Sequence, residues 1–170
     1  MPLLNHFSIR LKLSLLAALL STSLVSGQSI RKKTKIASCR NRIEQGVSGL
    51  VFEVSGNQMP APGKGAPVRK GTQREFGIFL PANLATAIKA KKEEDCFFKN
   101  TGSRLVQRAK TGKDGCFSLA LMPGKYSIFV REKGFWYANS FGGNGEIFEF
   151  EVFPDSVTHV DFRINHGAWY

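Results

Sequence analysis

The chain has few of the features that mark membrane-spanning or metal-dependent proteins. Its one sustained apolar run, residues 13–20, is much shorter than the ~20 residues that a spanning helix needs. Of its 3 histidines, only His159 and His166 lie beyond the N-terminal region. Neither is followed by Glu at the third position, as an H-x-x-E metal motif requires. We therefore predict no metal site and no cofactor. Outside the N-terminal apolar run, no stretch is predicted to span a membrane as a helix.

Motifs of nucleophilic catalysis and phosphate binding are also missing. No serine lies in a G-x-S-x-G elbow, and no cysteine has an evident histidine partner. The glycine-rich stretch 142–145 lacks both the G-x-G-x-x-G spacing and a helical pattern after it. His159 and Asp161 lie two residues apart and could form an acid–base pair, but two solvated polar side chains are the simpler interpretation. The sequence predicts a protein that is not an enzyme.

Residues 1–27 have the layout of a secretory signal peptide. Arg10 and Lys12 precede the apolar run, and a small, polar stretch at 21–27 follows it. Val25 and Gly27 fit the small-residue positions before a cleavage site, so we expect cleavage after Gly27. An uncleaved membrane anchor is the alternative. Export predicts a periplasmic or cell-surface location, with residues 46–170 as a single domain.

Positive charge is in excess, with a formal net charge of +11. Residues 28–45 have little apolar content and are predicted to form a basic linker, with these cationic side chains: Arg31, Lys32, Lys33, Lys35, Arg40 and Arg42. In an exported protein such charge would attract anionic surface polymers or lipid head groups rather than nucleic acid. A solvated basic surface is an equally good interpretation. Contact with a membrane is therefore expected to be peripheral at most.

The chain has 3 cysteines, Cys39, Cys96 and Cys116. An oxidising compartment permits one disulfide among them and leaves one thiol over. We take Cys96–Cys116 as the possible pair, which would close a loop of about 20 residues and stabilise the fold by roughly 3 kcal/mol. A fully reduced set is the alternative, and the spacings show no zinc pattern.

The stretch 110–137 carries the strongest structural pattern. Turn signals at Asp114-Gly115 and Pro123-Gly124 each precede an alternating apolar run. Pro followed by Gly suits a type II turn, because glycine tolerates the positive φ needed there. Whether this turn closes a hairpin or arches between two sheets stays open. The two runs each place three apolar residues on one face: Phe117, Leu119 and Leu121, then Tyr126, Ile128 and Val130.

Similar alternation recurs along the chain and predicts the fold class. It indicates further strands at 46–54, 74–80, 105–110, 146–153 and 157–165. Residues 81–102 depart from the pattern and are predicted to form a short helix or a charged surface excursion. About seven short strands with regular turn signals, and no convincing long helix, predict an all-β fold with a single seven-stranded antiparallel β-sandwich.

Three segments resemble the carboxypeptidase regulatory-like domain: Gly46-Val-Ser-Gly-Leu-Val51, Lys113-Asp-Gly-Cys-Phe117 and Leu121-Met-Pro-Gly-Lys-Tyr126-Ser-Ile-Phe-Val130. The resemblance covers 46–164, interrupted by 81–102. It implies a transthyretin-like (prealbumin-like) sandwich of about seven strands, related to carbohydrate-binding-like folds. It implies no peptidase activity, because in the enzymes that this domain accompanies catalysis belongs to a separate, larger domain.

Five aromatic residues form the remaining candidate binding site: Phe135, Trp136, Tyr137, Trp169 and Tyr170. Such rings can stack on sugars or serve at protein interfaces. Alternatively, they plug the open ends of the sandwich. We therefore expect a secreted, non-catalytic module with a structural or protein-interaction role in the cell envelope, with an envelope or surface protein as partner. A carbohydrate-binding module with a glycan partner is the alternative, and a hydrolase is a distant third.

Overall fold

The computed structural model describes residues 39, 43–59, 63, 69–91 and 95–169. The predicted signal peptide at 1–27 and most of the predicted basic linker at 28–45 lie outside the described residues. The part that is described contains strands and no helix. The strands are β1 (Gly46–Asn57), β2 (Lys70–Gly71), β3 (Glu75–Phe79), β4 (Ile88–Lys89), β5 (Phe97–Asn100), β6 (Leu105–Lys110), β7 (Cys116–Ala120), β8 (Gly124–Glu132), β9 (Phe135–Tyr137), β10 (Glu149–Val152) and β11 (Val157–Trp169).

The strands form two sheets. In the first sheet, β1 lies between β11 on one side and both β2 and β7 on the other. The second sheet has the order β4-β5-β9-β8-β3-β6, and β10 also pairs with β8. This arrangement confirms the prediction of an all-β, sandwich-like fold.

The predicted seven-stranded, wholly antiparallel arrangement needs two corrections. The described residues form eleven strands, several of them only two or three residues long. In addition, β1 and β11 run parallel, with Gly46 opposite Val157 and Phe52 opposite Arg163. Alternation along a strand reports which face is buried but not which strand is its neighbour. The alternation therefore could not predict that β1 and β11 run parallel.

The core lies between the sheets and follows the predicted alternation closely. In β11, Val160, Phe162 and Ile164 are buried while the residues between them are exposed. β1 is buried on both faces from Gly46 to Phe52, as its apolar residues on both faces predict. Across the gap, Phe76 of β3 meets Phe117 of β7 with ring centroids 4.8 Å apart.

The described residues of 81–102 form no helix, and most of residues 83–91 are exposed, so only part of the predicted surface excursion packs against the fold. The segment contributes β4 and β5, and both Phe97 and Phe98 are buried. Ala82 donates its backbone N–H to Ser127 Oγ at 3.0 Å, which fixes the segment against the second sheet. β8 is buried on both faces from Tyr126 to Val130, so this sheet is covered on both sides. The alternation failed here because Phe97 and Phe98 point to opposite, equally buried faces.

The Pro123-Gly124 turn connects the two sheets. β7 before it belongs to the first sheet and β8 after it to the second, so the turn arches between sheets and does not close a hairpin. No helix among the described residues is long and apolar enough to cross a membrane.

Candidate functional site

The predicted aromatic site is largely part of the core. Trp136 is 7% exposed and Tyr137 is 1% exposed, and Phe135 packs partly buried against them. Trp169 is 62% exposed at the end of β11, and Tyr170 lies outside the described residues. The structure therefore does not bring the five aromatic side chains together as one exposed surface.

Trp136 is an internal packing element of the second sheet. The guanidinium groups of Arg108 and Arg131 lie 5.5 Å and 5.0 Å from the centroid of its ring. A Cβ at Gly77 would lie 3.1 Å from the tip of the indole, so glycine there makes room for the ring. Phe79 meets the indole edge-on, with ring centroids 5.1 Å apart. Two cations and the neighbouring ring therefore hold Trp136 in place.

Tyr137 and its neighbours close the outer edge of β11. The Tyr137 hydroxyl donates to Asn165 Oδ1 at 2.9 Å, and burial raises the pKa of Tyr137 to about 12. Asn139 donates its side-chain N–H to the backbone carbonyl of Arg163 at 2.9 Å and to Asn165 Oδ1. These contacts supply partners to an edge strand that has none on that side.

A charged cluster around the buried Glu132 spans the two sheets, and the sequence did not indicate it. Glu132, at the end of β8, is 8% exposed. One of its oxygens accepts a hydrogen bond from Arg74, and the other lies 3.2 Å from Nε2 of His166 in β11. Arg74 also lies 3.4 Å from Glu53 of β1. A buried carboxylate needs such partners, so the cluster is best explained as an ionic contact between sheets.

The candidate acid–base pair is geometrically real but exposed. His159 Nε2 lies 3.0 Å from Asp161 Oδ1, and Arg69 holds the other carboxylate oxygen at 3.0 Å. Ser48 lies opposite His159 in the β1–β11 register, yet its hydroxyl is buried and has no hydrogen-bond partner. The pair therefore activates no serine in this arrangement.

Cys116 bonds to Cys39 rather than to Cys96, which corrects the expected pairing. The Cα atoms of Cys39 and Cys116 are 5.4 Å apart. Cys116 begins β7 in the first sheet, whereas Cys96 directly precedes β5 in the second. Cys96 is a free, partly buried thiol, and burial raises its pKa.

The described residues include a cleft on the side where β6 and β7 form the sheet edges. It has a volume of about 580 Å³. Phe76 and Phe117 form part of its apolar wall, and the disulfide borders it. Polar side chains come from Asp114 and Ser118, and the backbone at Lys110 also borders the cleft. Among its described lining residues there is no histidine or glutamate. The cleft offers an apolar recess with a polar margin.

The described residues contain no group of three His, Cys, Asp or Glu side chains arranged to hold a metal ion. Comparison with protein-family models, curated proteins and solved structures finds no match to this chain.

Proposed function

We propose that this chain is an exported, non-catalytic β-sandwich module that binds a protein of the cell envelope. Its assignment to the carboxypeptidase regulatory-like domain is part of the proposal and is supported by the two-sheet, all-β fold. Export is supported by the Cys39–Cys116 disulfide, because disulfides persist mainly in oxidising compartments such as the periplasm or cell surface.

The proposal of binding rests on the open side of the sandwich, which is the side where β6 and β7 are the edge strands. There the edge strands β6 and β7 flank a cleft of about 580 Å³ with apolar walls. Elsewhere most of the aromatic side chains, including Trp136 and Tyr137, are used in packing. A recess beside strand edges suits a protein ligand, which can contribute both side chains and backbone hydrogen bonds.

A crosslinking pull-down from native envelope tests the proposal. We expect the purified protein to capture a specific envelope protein, and excess untagged protein to compete for it. Capture that is unaffected by the untagged competitor would contradict the proposal. Hydrolysis of a surrogate substrate that is lost in His159→Ala would contradict the non-catalytic assignment.

A carbohydrate contact at Trp169 is the second candidate function. β1 and β11 continue past the Glu132 cluster as a parallel ribbon, in which Asn57 lies opposite Trp169. Same-register residues share a face, so the exposed indole has an amide side chain beside it. An aromatic face next to amide groups can stack on a sugar ring and hydrogen-bond its hydroxyls.

A glycan array tests the contact at Trp169. Stacking predicts a signal that survives high salt and is lost in Trp169→Ala. Phe153→Ala is the matched control, because Phe153 is another exposed aromatic residue. Equal signals from both variants would contradict a role for Trp169, and a signal that fades with salt would indicate attraction by charge alone.

A further inference from the structure

The outer edge of β6 presents backbone N–H and C=O groups to solvent, and the pairing with β3 shows which residues carry them. Among the described residues β6 pairs only with β3. Thr111 donates its backbone N–H to Arg74 O at 2.9 Å. Because backbone groups of successive residues point to opposite sides of a strand, this bond determines which residues of β6 face β3. Ala109 therefore directs its backbone groups towards β3, while Arg108 and Lys110 direct theirs outward. A strand added at this edge would find donors and acceptors at Arg108 and Lys110.

Two other sheet edges carry protecting contacts along part of their length, in contrast to β6. Asn139 donates to the carbonyl of Arg163 on the outer edge of β11. At β7, Cys116 is bonded to Cys39, and its N–H is held by Asp114 Oδ1 at 3.1 Å. Native proteins usually protect sheet edges by such means. Within the described part of the chain, no comparable contact caps the backbone of β6.

The side chains around β6 specify the chemistry of an added strand. Ala109 of β6 lines the cleft, whereas Arg108 lies on the opposite face over Trp136. Lys110, two residues on, shares the face of Arg108. The stretch 104–113 has four basic residues and no acidic one: Arg104, Arg108, Lys110 and Lys113. Glu75 of β3 pairs with Arg108 at 3.3 Å but leaves this face with an excess of positive charge. An added strand would therefore place apolar side chains towards the cleft and acidic side chains beside the cations.

The same charges argue against a second copy as the occupant. Pairing β6 with β6 of another molecule would bring the basic side chains of 104–110 close to one another. Like charges on neighbouring strands destabilise their pairing. A partner with acidic side chains removes this repulsion and supplies opposite charges.

The protein contains one strand pair of this kind within its own fold. β10 alternates acidic and apolar residues and pairs antiparallel with β8. Glu149 of β10 accepts a hydrogen bond from Lys125 Nζ at 2.9 Å. Phe150 lies opposite Tyr126, with ring centroids 5.9 Å apart. An acidic, apolar alternation thus fits a lysine-bearing strand of the second sheet.

We propose that the outer edge of β6 binds, by antiparallel strand addition, an extended segment of a partner protein in which acidic and apolar residues alternate. This inference rests on the proposed function and names the partner's chemistry. The glutamates of such a segment lie beside Arg108 and Lys110, and its apolar residues point into the cleft.

A fluorescein-labelled peptide of eight alternating valine and glutamate residues tests the inference by fluorescence anisotropy with the purified protein. Directly opposed, hydrogen-bonded residues of an antiparallel pair share a face. The N–H groups that point to β6 are therefore those of the glutamates. N-methylation of the glutamates should weaken binding on the order of tenfold or more, because several backbone hydrogen bonds are lost together. N-methylation of the valines should leave binding nearly unchanged.

Variants of the protein give an independent test. Lys110→Gln removes one charge, whereas Lys110→Pro also removes an outward N–H that β3 does not use. We expect Lys110→Pro to bind the peptide about fivefold more weakly than Lys110→Gln. Lys99→Glu, at an exposed position of β5 four strands away, is the control for charge and should bind much better than Lys110→Glu. Circular dichroism establishes that each variant is folded.

Several results would overturn the inference. Equal binding of the two N-methylated peptides would show attraction by charge alone, as an anionic polymer would also produce. Dimerisation of the protein that Lys110→Pro abolishes, without peptide binding, would assign the edge to a second copy. Capture of the same envelope protein by Lys110→Pro and by the unmodified protein would contradict strand addition but leave the proposed function standing. Peptide binding without any captured envelope protein would contradict the proposed function instead.

Discussion

Removal of the Cys39–Cys116 disulfide should cost a large part of the stability of the fold. The two cysteines are separated by 77 residues. In the chain-entropy treatment, a closed loop of that length stabilises the native state by about 4.5 kcal/mol at 25 °C. Typical domains are stable by only about 5–15 kcal/mol. Cys39→Ser should therefore lower the free energy of unfolding by about 4.5 kcal/mol. A domain at the low end of the typical range would then retain almost no stability.

Urea denaturation followed by circular dichroism measures this loss. With a slope of about 2 kcal/mol per molar urea, the midpoint of Cys39→Ser should fall by about 2 M. Reduction of the unmodified protein with dithiothreitol should produce the same fall, because it removes the same constraint. Cys96→Ser is the matched control and should change the midpoint little, since Cys96 is a free thiol.

The two cysteine variants and the reduction of the unmodified protein separate the alternatives. If Cys96 were bonded to Cys116, Cys96→Ser would lower the midpoint and Cys39→Ser would not. If no disulfide formed, dithiothreitol would have no effect on the unmodified protein. Alkylation under denaturing, non-reducing conditions should label Cys96 alone, as peptide mapping by mass spectrometry can verify. Any other labelling pattern would refute the pairing of Cys39 with Cys116.

Three further predictions concern buried polar groups. Glu132→Gln should destabilise the protein by about 3 kcal/mol in urea denaturation, because Arg74 loses its buried anionic partner; an effect no larger than that of Glu149→Gln at the exposed pair would contradict this. Burial raises the pKa of Tyr137 to about 12, so its protonated hydroxyl contributes stability below pH 10 that is lost as the pH rises to 12. The free energy of unfolding should fall by about 2 kcal/mol over this range. An equal fall in Tyr137→Phe would refute the assignment. Ser48→Ala should leave stability unchanged or raise it by about 1 kcal/mol, because the buried hydroxyl lacks a partner; a clear loss by thermal denaturation would reveal an unseen hydrogen bond.

The sequence predicts the strands best where one face is buried and the other is wet. β6 begins and ends at Leu105 and Lys110, as the alternation indicates, and β11 buries Val160, Phe162 and Ile164 as expected. Where a strand is covered on both faces, its residues need not alternate between apolar and polar, and a short strand of this kind is easily missed. For that reason the pattern missed β5, in which the adjacent Phe97 and Phe98 are both buried.

Contacts between distant strands are the part that the sequence does not reveal. Glu132 meets Arg74 and His166 across separations of 58 and 34 residues, and no local spacing predicts such a meeting. The pairing of Cys116 with Cys39 depends equally on which strand joins which sheet. Local pattern reports burial, whereas pairing is decided by topology.

The aromatic residues predicted the site wrongly for a related physical reason. Trp136 and Tyr137 each combine an apolar ring with a polar group, and that combination serves an interface or a core equally well. Here the polar groups and ring faces are satisfied internally, by Asn165 at Tyr137 and by two guanidinium groups at Trp136. Residue type alone could not separate the two uses.

Because most aromatic side chains are used in packing, the backbone becomes the main candidate for recognising a partner. A packed core leaves few large side chains to recognise a partner, apart from Trp169 and a few scattered apolar residues. The edge of β6 offers another kind of recognition, since its unpaired N–H and C=O groups are present whatever side chains it carries. No sequence motif displays such an edge, because it is created by β6 having a neighbour on one side only. The charge of Arg108 and Lys110 then determines which extended segment fits there, and this combination of topology and charge is what the peptide experiments examine.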